Sequence, residues 1–139
     1  MPSVMLHASS VAVAERGVLI RGASGSGKSS LALQLIALGG VLIADDRTIA
    51  IRDGDCVTLD APDTIRGRIE ARGVGIIVAP NAGPTPAMLI VDMDGPAAPR
   101  LPLFQEDILL GLSLPVIRGS TAPHFPAAIL LYIEYGRTA

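Results

Sequence analysis

Apolar positions along this chain come in short runs, and their period changes from strand-like to helix-like and back. Residues 3–8 are short and apolar-rich, and residues 11–14 resume the run after the Ser9-Ser10 pair. Both read as strands. A turn at Glu15-Arg16-Gly17 follows, then a compact run, Val18-Leu19-Ile20, that suits a central strand. The period then lengthens. Over residues 28–38, Leu31, Leu35 and Leu38 recur at helical spacing on one face, widened by Ala32 and Ile36. Gly39-Gly40 predicts where that helix ends. Residues 41–44 read as a second buried strand, closed by Asp45-Asp46. Residues 48–51 and 57–59 flank Asp53-Gly54-Asp55 and predict a hairpin.

The rest of the pattern is less regular. Residues 64–80 hold Arg66, Arg68, Glu70 and Arg72, then Gly73-Val74-Gly75, then an apolar run. This fits a loop entering a short strand or helix. A loop at 80–86 leads to a strand at 88–91, a proline-rich surface connection at 96–102, and one more strand within 107–114. Ser120 or Thr121 is placed to cap a last helix from 122 to about 135, with Pro123 and Pro126 near its first turn. No repeat or linker divides the chain, so the expectation is one α/β domain over residues 1–139.

Composition narrows the function classes. The net charge is −2 and the arginines are scattered, which argues against nucleic acid as a partner. Four aromatics do not make a stacking platform for single strands. The one cysteine, Cys56, allows no disulfide within the chain and reads as a small apolar residue in a strand. No apolar run approaches the roughly 20 residues of a membrane span, and the N-terminus does not read as a secretory signal. The expected setting is cytoplasmic.

The sharpest chemical signal is Gly22-Ala23-Ser24-Gly25-Ser26-Gly27-Lys28-Ser29, which satisfies G-x-x-x-x-G-K-[ST] in full. A buried strand precedes it and an amphipathic helix follows. The glycines let backbone N–H groups turn inward around phosphate oxygens, and the helix N-terminus adds further donors. Lys28 would reach the terminal phosphates, and the Ser29 hydroxyl is placed for Mg²⁺. The pattern predicts a P-loop nucleotide site. A second signal is Asp45-Asp46 at a strand's carboxyl end, where such folds face the nucleotide. A carboxylate there can hold Mg²⁺ or accept a hydroxyl proton. Adjacent residues in an extended chain point to opposite sides, so one of the two is expected to face the phosphates. Taken alone, Glu70 reads as a surface ion pair with its neighbouring arginines, and His7 as a packed histidine on an apolar strand.

A wider pattern changes those last two readings. His7, the loop at 22–29, Leu42-Ile43-Ala44-Asp45-Asp46 and the block at 69–78, IEARGVGIIV, together resemble the catalytic domain of bacterial HPr kinase/phosphorylase. The resemblance runs from about residue 5 to 134 and looks like a short form holding the catalytic domain alone. It implies a mixed-sheet fold resembling the nucleotide-binding core of phosphoenolpyruvate carboxykinase. It implies an enzyme that uses ATP to phosphorylate a seryl hydroxyl of HPr, the phosphocarrier of the sugar phosphotransferase system, and that can reverse the step with inorganic phosphate. Members are commonly hexameric. By the same resemblance, His7 lies near the reacting group and Lys28 neutralises phosphate charge. Ser29 and Glu70 serve Mg²⁺, Asp46 is the base, Asp45 assists or ligates metal, and Arg100 matches an arginine that stabilises the phosphoryl group. Two departures stand out. Ser30 replaces a usual acid, and Pro115-Val116-Ile117-Arg118-Gly119-Ser120-Thr121 replaces the family's P-V-R-P-G-R-N. Two alternatives stay open beside this reading: a small-molecule P-loop kinase, and a non-catalytic nucleotide-binding regulatory module.

Overall fold

The computed structural model describes all residues, Met1–Ala139. Strands β1 (Ser3–Leu6), β2 (Ala8–Val13) and β3 (Arg16–Arg21) lead into helix α1 (Lys28–Ala37) and strand β4 (Val41–Ala44). Next come the hairpin β5 (Thr48–Asp53) and β6 (Cys56–Asp60), a 3₁₀ turn (Asp63–Ile65), and the hairpin β7 (Arg68–Ala71) and β8 (Gly75–Val78). Strand β9 (Thr85–Asp92), the hairpin β10 (Gln105–Leu109) and β11 (Leu112–Arg118), and helix α2 (Phe125–Tyr135) complete the chain.

Nine strands form one mixed sheet in the order β1-β5-β6-β9-β3-β2-β4, with β11 and β10 branching from β9. β3 runs parallel to β9 and antiparallel to β2, and β4 is antiparallel to β2. β3, β4 and β9 therefore point the same way, with their carboxyl ends at one edge. β7 and β8 form a separate two-stranded ribbon.

The central strands are buried on both faces, which is why they read as continuous apolar runs. Val11, Val13, Val18, Ile20, Leu42, Leu89 and Val91 face α1 and α2, packing with Leu31, Ala32, Leu35, Ile129 and Ile133. Ala8, Ala12, Leu19, Ile43 and Ile90 face the opposite way, onto Ala50, Val57, Leu59, Leu109 and Leu114 of the hairpins. The domain thus has a helix layer on one side of the central strands and the hairpins on the other.

Several expectations shift. The first strand breaks at His7, not at Ser9-Ser10, because β1 pairs with β5 while β2 passes between β3 and β4. Leu38 is half exposed rather than on the packed face, since α1 ends one residue earlier. Gly39 (φ 106°) closes the helix end, with its N–H on Ile36 O and that of Gly40 on Leu35 O, so the last carbonyls are satisfied. Residues 64–80 hold a 3₁₀ turn and a hairpin, and two strands occupy the region where one was expected after residue 105. α2 starts at Phe125. The Ser120 hydroxyl accepts from Ala122 N (3.0 Å) in a local turn ahead of the helix instead of capping it.

Candidate active site

The glycine-rich loop leaves β3 at the edge where the parallel strands end, and Gly27 (φ 101°) turns the chain into α1. Gly22 has φ 154°, and a Cβ there would lie 2.6 Å from Ser26 Oγ, so the tight curl needs glycine. The Lys28 side chain is buried and folds back into the loop, donating to Gly22 O (2.7 Å) and Ala23 O (3.2 Å). Ala23 N donates outward to the Asp94 carboxylate (3.0 and 3.2 Å), which ties the loop's rim to the segment after β9.

A cavity of about 650 Å³ opens over the loop and the start of α1. Ser24, Gly25, Gly27, Lys28 and Ser29 line one side, and Asp45, Asp46, Glu70 and Arg72 the other. Asp45 is the hub. Its Oδ1 accepts from Ser29 Oγ (2.7 Å) and Ser9 Oγ (3.2 Å), and its Oδ2 from Glu70 N (2.9 Å). The carboxylate thereby joins α1, β2 and β7. Asp46 Oδ1 lies 2.8 Å from His7 Nε2 and 3.9 Å from Lys28 Nζ.

Asp45 and Asp46 both line the cavity, against the alternation expected of an extended chain. Asp46 has φ 65°, a left-handed conformation that aspartate tolerates better than most residues, and this turns its side chain to the same side. Of the arginines near Glu70, Arg66 turns away to Asp60 (2.7 Å) and Asp63 (3.1 Å). Glu70 itself faces the cavity on β7. Arg100 lies exposed between β9 and β10 and does not line the cavity.

Sequence reading gave no role to Ser9, Asp92 and Asp94, and took Arg21 for a solvated surface residue. Arg21, just before the loop, donates to Asp92 Oδ2 (3.2 Å) and reaches Asp107 Oδ2 at 2.7 Å. Burial disfavours its charge, but the hydrogen bonds to Asp107 and Asp92 outweigh this and raise the guanidinium above its ordinary value. Met88-Leu89-Ile90-Val91-Asp92, an apolar run ending in an acid, was the available signal for Asp92. For Ser9 the signal was a hydroxyl inside a buried strand.

The family described as the HPr serine kinase C-terminal domain matches residues 1–82, which include the loop, both aspartates and Glu70. The chain belongs to that family. HPr kinase/phosphorylase of Caldicellulosiruptor bescii is 44% identical over 82 residues, covering 58% of this chain and 26% of that protein. The Bacillus velezensis HPr kinase/phosphorylase is 46% identical over 78 residues, covering 55% and 25%. The chain spans about a quarter of the length of these curated relatives. Residues beyond 82, Arg100 among them, lie outside the family match. The fold extends the likeness. The structure of the Hpr(Ser) kinase/phosphatase from Coxiella burnetii superimposes with a TM-score of 0.80 at 27% identity, covering 94% of this chain and 93% of that one. No helix of the chain is long and apolar enough to cross a membrane.

Proposed function

We propose that this domain is an ATP-dependent protein kinase that phosphorylates a seryl hydroxyl of an HPr-type phosphocarrier protein. The observation that carries the reading is the meeting of Lys28, Ser29, Asp45, Asp46 and Glu70 around one cavity, with His7 on Asp46. The glycine-rich loop suits phosphate oxygens: the N-terminus of α1 lines the cavity, and the Lys28 ammonium is held there by two loop carbonyls, which phosphate oxygens would replace.

The donor set suits Mg²⁺. Ser29 Oγ and the Glu70 carboxylate would hold it, with Asp45 beside them, and these are oxygen ligands. No three acidic or imidazole side chains converge closely enough to enclose a metal alone. Mg²⁺ commonly binds through one or two carboxylates plus waters and phosphates, so the sparse set fits it. When bound, the ion would offset negative charge on the transferred group.

Asp46 is the better candidate for the base. Both oxygens of Asp45 already accept hydrogen bonds, three in total, whereas Asp46 has His7 and a distant Lys28. Asp46 would take the proton as the seryl oxygen forms its bond to the γ-phosphorus and the bond to the β–γ bridging oxygen breaks, releasing ADP. His7 would orient Asp46, and Lys28 would balance the phosphate charge. Phosphorolysis of the phosphoserine, releasing pyrophosphate, would reuse Asp46 as the acid. Arg100 would serve the phosphoryl group only if the segment after β9 folded over the cavity. Homo-oligomeric assembly and a cytoplasmic setting belong to the same proposal.

The test is transfer from γ-labelled ATP with Mg²⁺ to a purified HPr-type carrier, beside the carrier's Ser→Ala variant. Label on the wild-type carrier alone is the expected result. ATP binding without any labelled carrier overturns the substrate assignment.

A further inference from the structure

Ser9 is fully buried in β2, in a row whose other members on that face, Val11 and Val13, are apolar. A hydroxyl in such a row is costly unless it is hydrogen-bonded. Both of its bonds go to the aspartate pair. Ser9 Oγ donates to Asp45 Oδ1 (3.2 Å) and accepts from Asp46 N (3.0 Å). The register explains how it reaches them. Along β2, Ser10 lies opposite Ala44 but Val11 opposite Leu42, so Ile43 is an extra residue in β4. Such a bulge bends the strand and re-aims the residues beyond it. Here it carries the end of β4 over Ser9. Past that point, Asp46 adopts φ 65°, a left-handed conformation that a non-glycine residue keeps only where its surroundings hold it. Its N–H has left the β-ladder and finds an acceptor in the Ser9 hydroxyl.

We infer that Ser9 is a positioning residue for phosphoryl transfer: its hydroxyl clamps the Asp45–Asp46 peptide in the turned conformation that sends two adjacent carboxylates into one cavity. Without the clamp, the extended conformation would return Asp46 toward the opposite face, away from His7. The inference rests on the reading of Asp46 as the base. It assigns the hydroxyl to the catalytic step, not to nucleotide capture, because both hydrogen bonds of the hydroxyl go to the aspartate pair and none to the loop or Lys28.

The experiment compares Ser9→Ala and Ser9→Thr with wild type in steady-state kinetics, thermal melting and amide hydrogen exchange of the full chain. Ser9→Ala is expected to lower kcat about 10–30-fold, to leave KM for ATP within about threefold, and to speed exchange of the Asp46 amide about tenfold or more. Ser9→Thr, which keeps the hydroxyl, is expected to restore the slow Asp46 amide and to recover kcat to within about threefold. An unchanged Asp46 amide in Ser9→Ala overturns the inference. So does a kcat loss that Ser9→Thr, with its amide protected, does not repair. If wild type labels no carrier, the functional reading fails by itself, and Asp46 exchange still decides whether Ser9 is the clamp.

Discussion

Two acidic clusters end parallel strands on the same edge of the sheet, and they have opposite characters. After β4, Asp45 is held by neutral donors: two hydroxyls and a backbone N–H. After β9, Asp92 is held by the Arg21 guanidinium, which also binds Asp107. Neutral donors orient a carboxylate and leave its full negative charge to meet a cation. An arginine neutralises the charge where it stands. β9 lies directly beside β3, whereas β4 is separated from β3 by β2. Adjacency to the loop-bearing strand therefore does not decide which acid serves the cavity; the donor does. The paired cluster has a different use. Asp92 Oδ1 accepts from Asp94 N (2.9 Å), and the Asp94 carboxylate in turn holds Ala23 N, so the arginine-paired Asp92 supports the residue that anchors the loop.

The contrast breaks most readily at the charges themselves. Lys28→Met and Asp45→Asn should each lower phosphoryl transfer by about 10²–10³-fold, in line with removing one group that stabilises a transition state. Asp92→Asn should lower it by less than about threefold. These rates come from the carrier-labelling assay, and an Asp92→Asn loss as large as that of Asp45→Asn would abolish the distinction between the clusters.

A smaller effect is expected on stability. Arg21→Met leaves Asp92 and Asp107 facing each other without a cation. Because Arg21 is about one-third exposed, solvent screening holds the cost to about 1 kcal/mol, or about 3 °C in melting temperature. Adding Asp107→Asn to Arg21→Met should cost nothing further, because the two share one interaction. A full additive loss in the double variant would mean that the groups act separately.

The smallest effect is in acid. The hydrogen bond from Arg21, then that from Ile108 N, holds Asp107 below the ordinary aspartate value. A depressed folded value means the contribution is present above the ordinary aspartate range and fades as pH falls through the depressed value. The melting difference between wild type and Asp107→Asn should thus be constant above about pH 5 and close in strong acid. A difference that persists unchanged to the lowest measurable pH would show that the ion pair is not its source.

The element sequence from β3 through α1 to β4 was legible because each part depends on neighbours in the chain. The turn glycines of the loop, the Leu31–Leu35 spacing and Gly39 act over a few residues. The β5–β6 hairpin was legible for the same reason. His7 misled because a strand can change partners without any break in its apolar pattern, and here β1 and β2 belong to different neighbours. The β10–β11 hairpin hid because its turn, Leu110-Gly111, sits in an apolar run. Leu38 counted toward a helical face that the helix does not extend far enough to bury.

The candidate site divides in the same way. Sequence alone determined the glycine-rich loop, Lys28, Ser29 and the presence of two aspartates after a buried strand, since all of these are set by local order and spacing. Tertiary structure decided which way the aspartates face, that Glu70's hairpin closes on Asp45, that Asp92 is neutralised by Arg21, and that Ser9 lies beneath the Asp45–Asp46 turn. Each of those contacts joins residues 25 or more positions apart. A one-residue bulge and one left-handed residue set the first and last of them, and side-chain periodicity records neither.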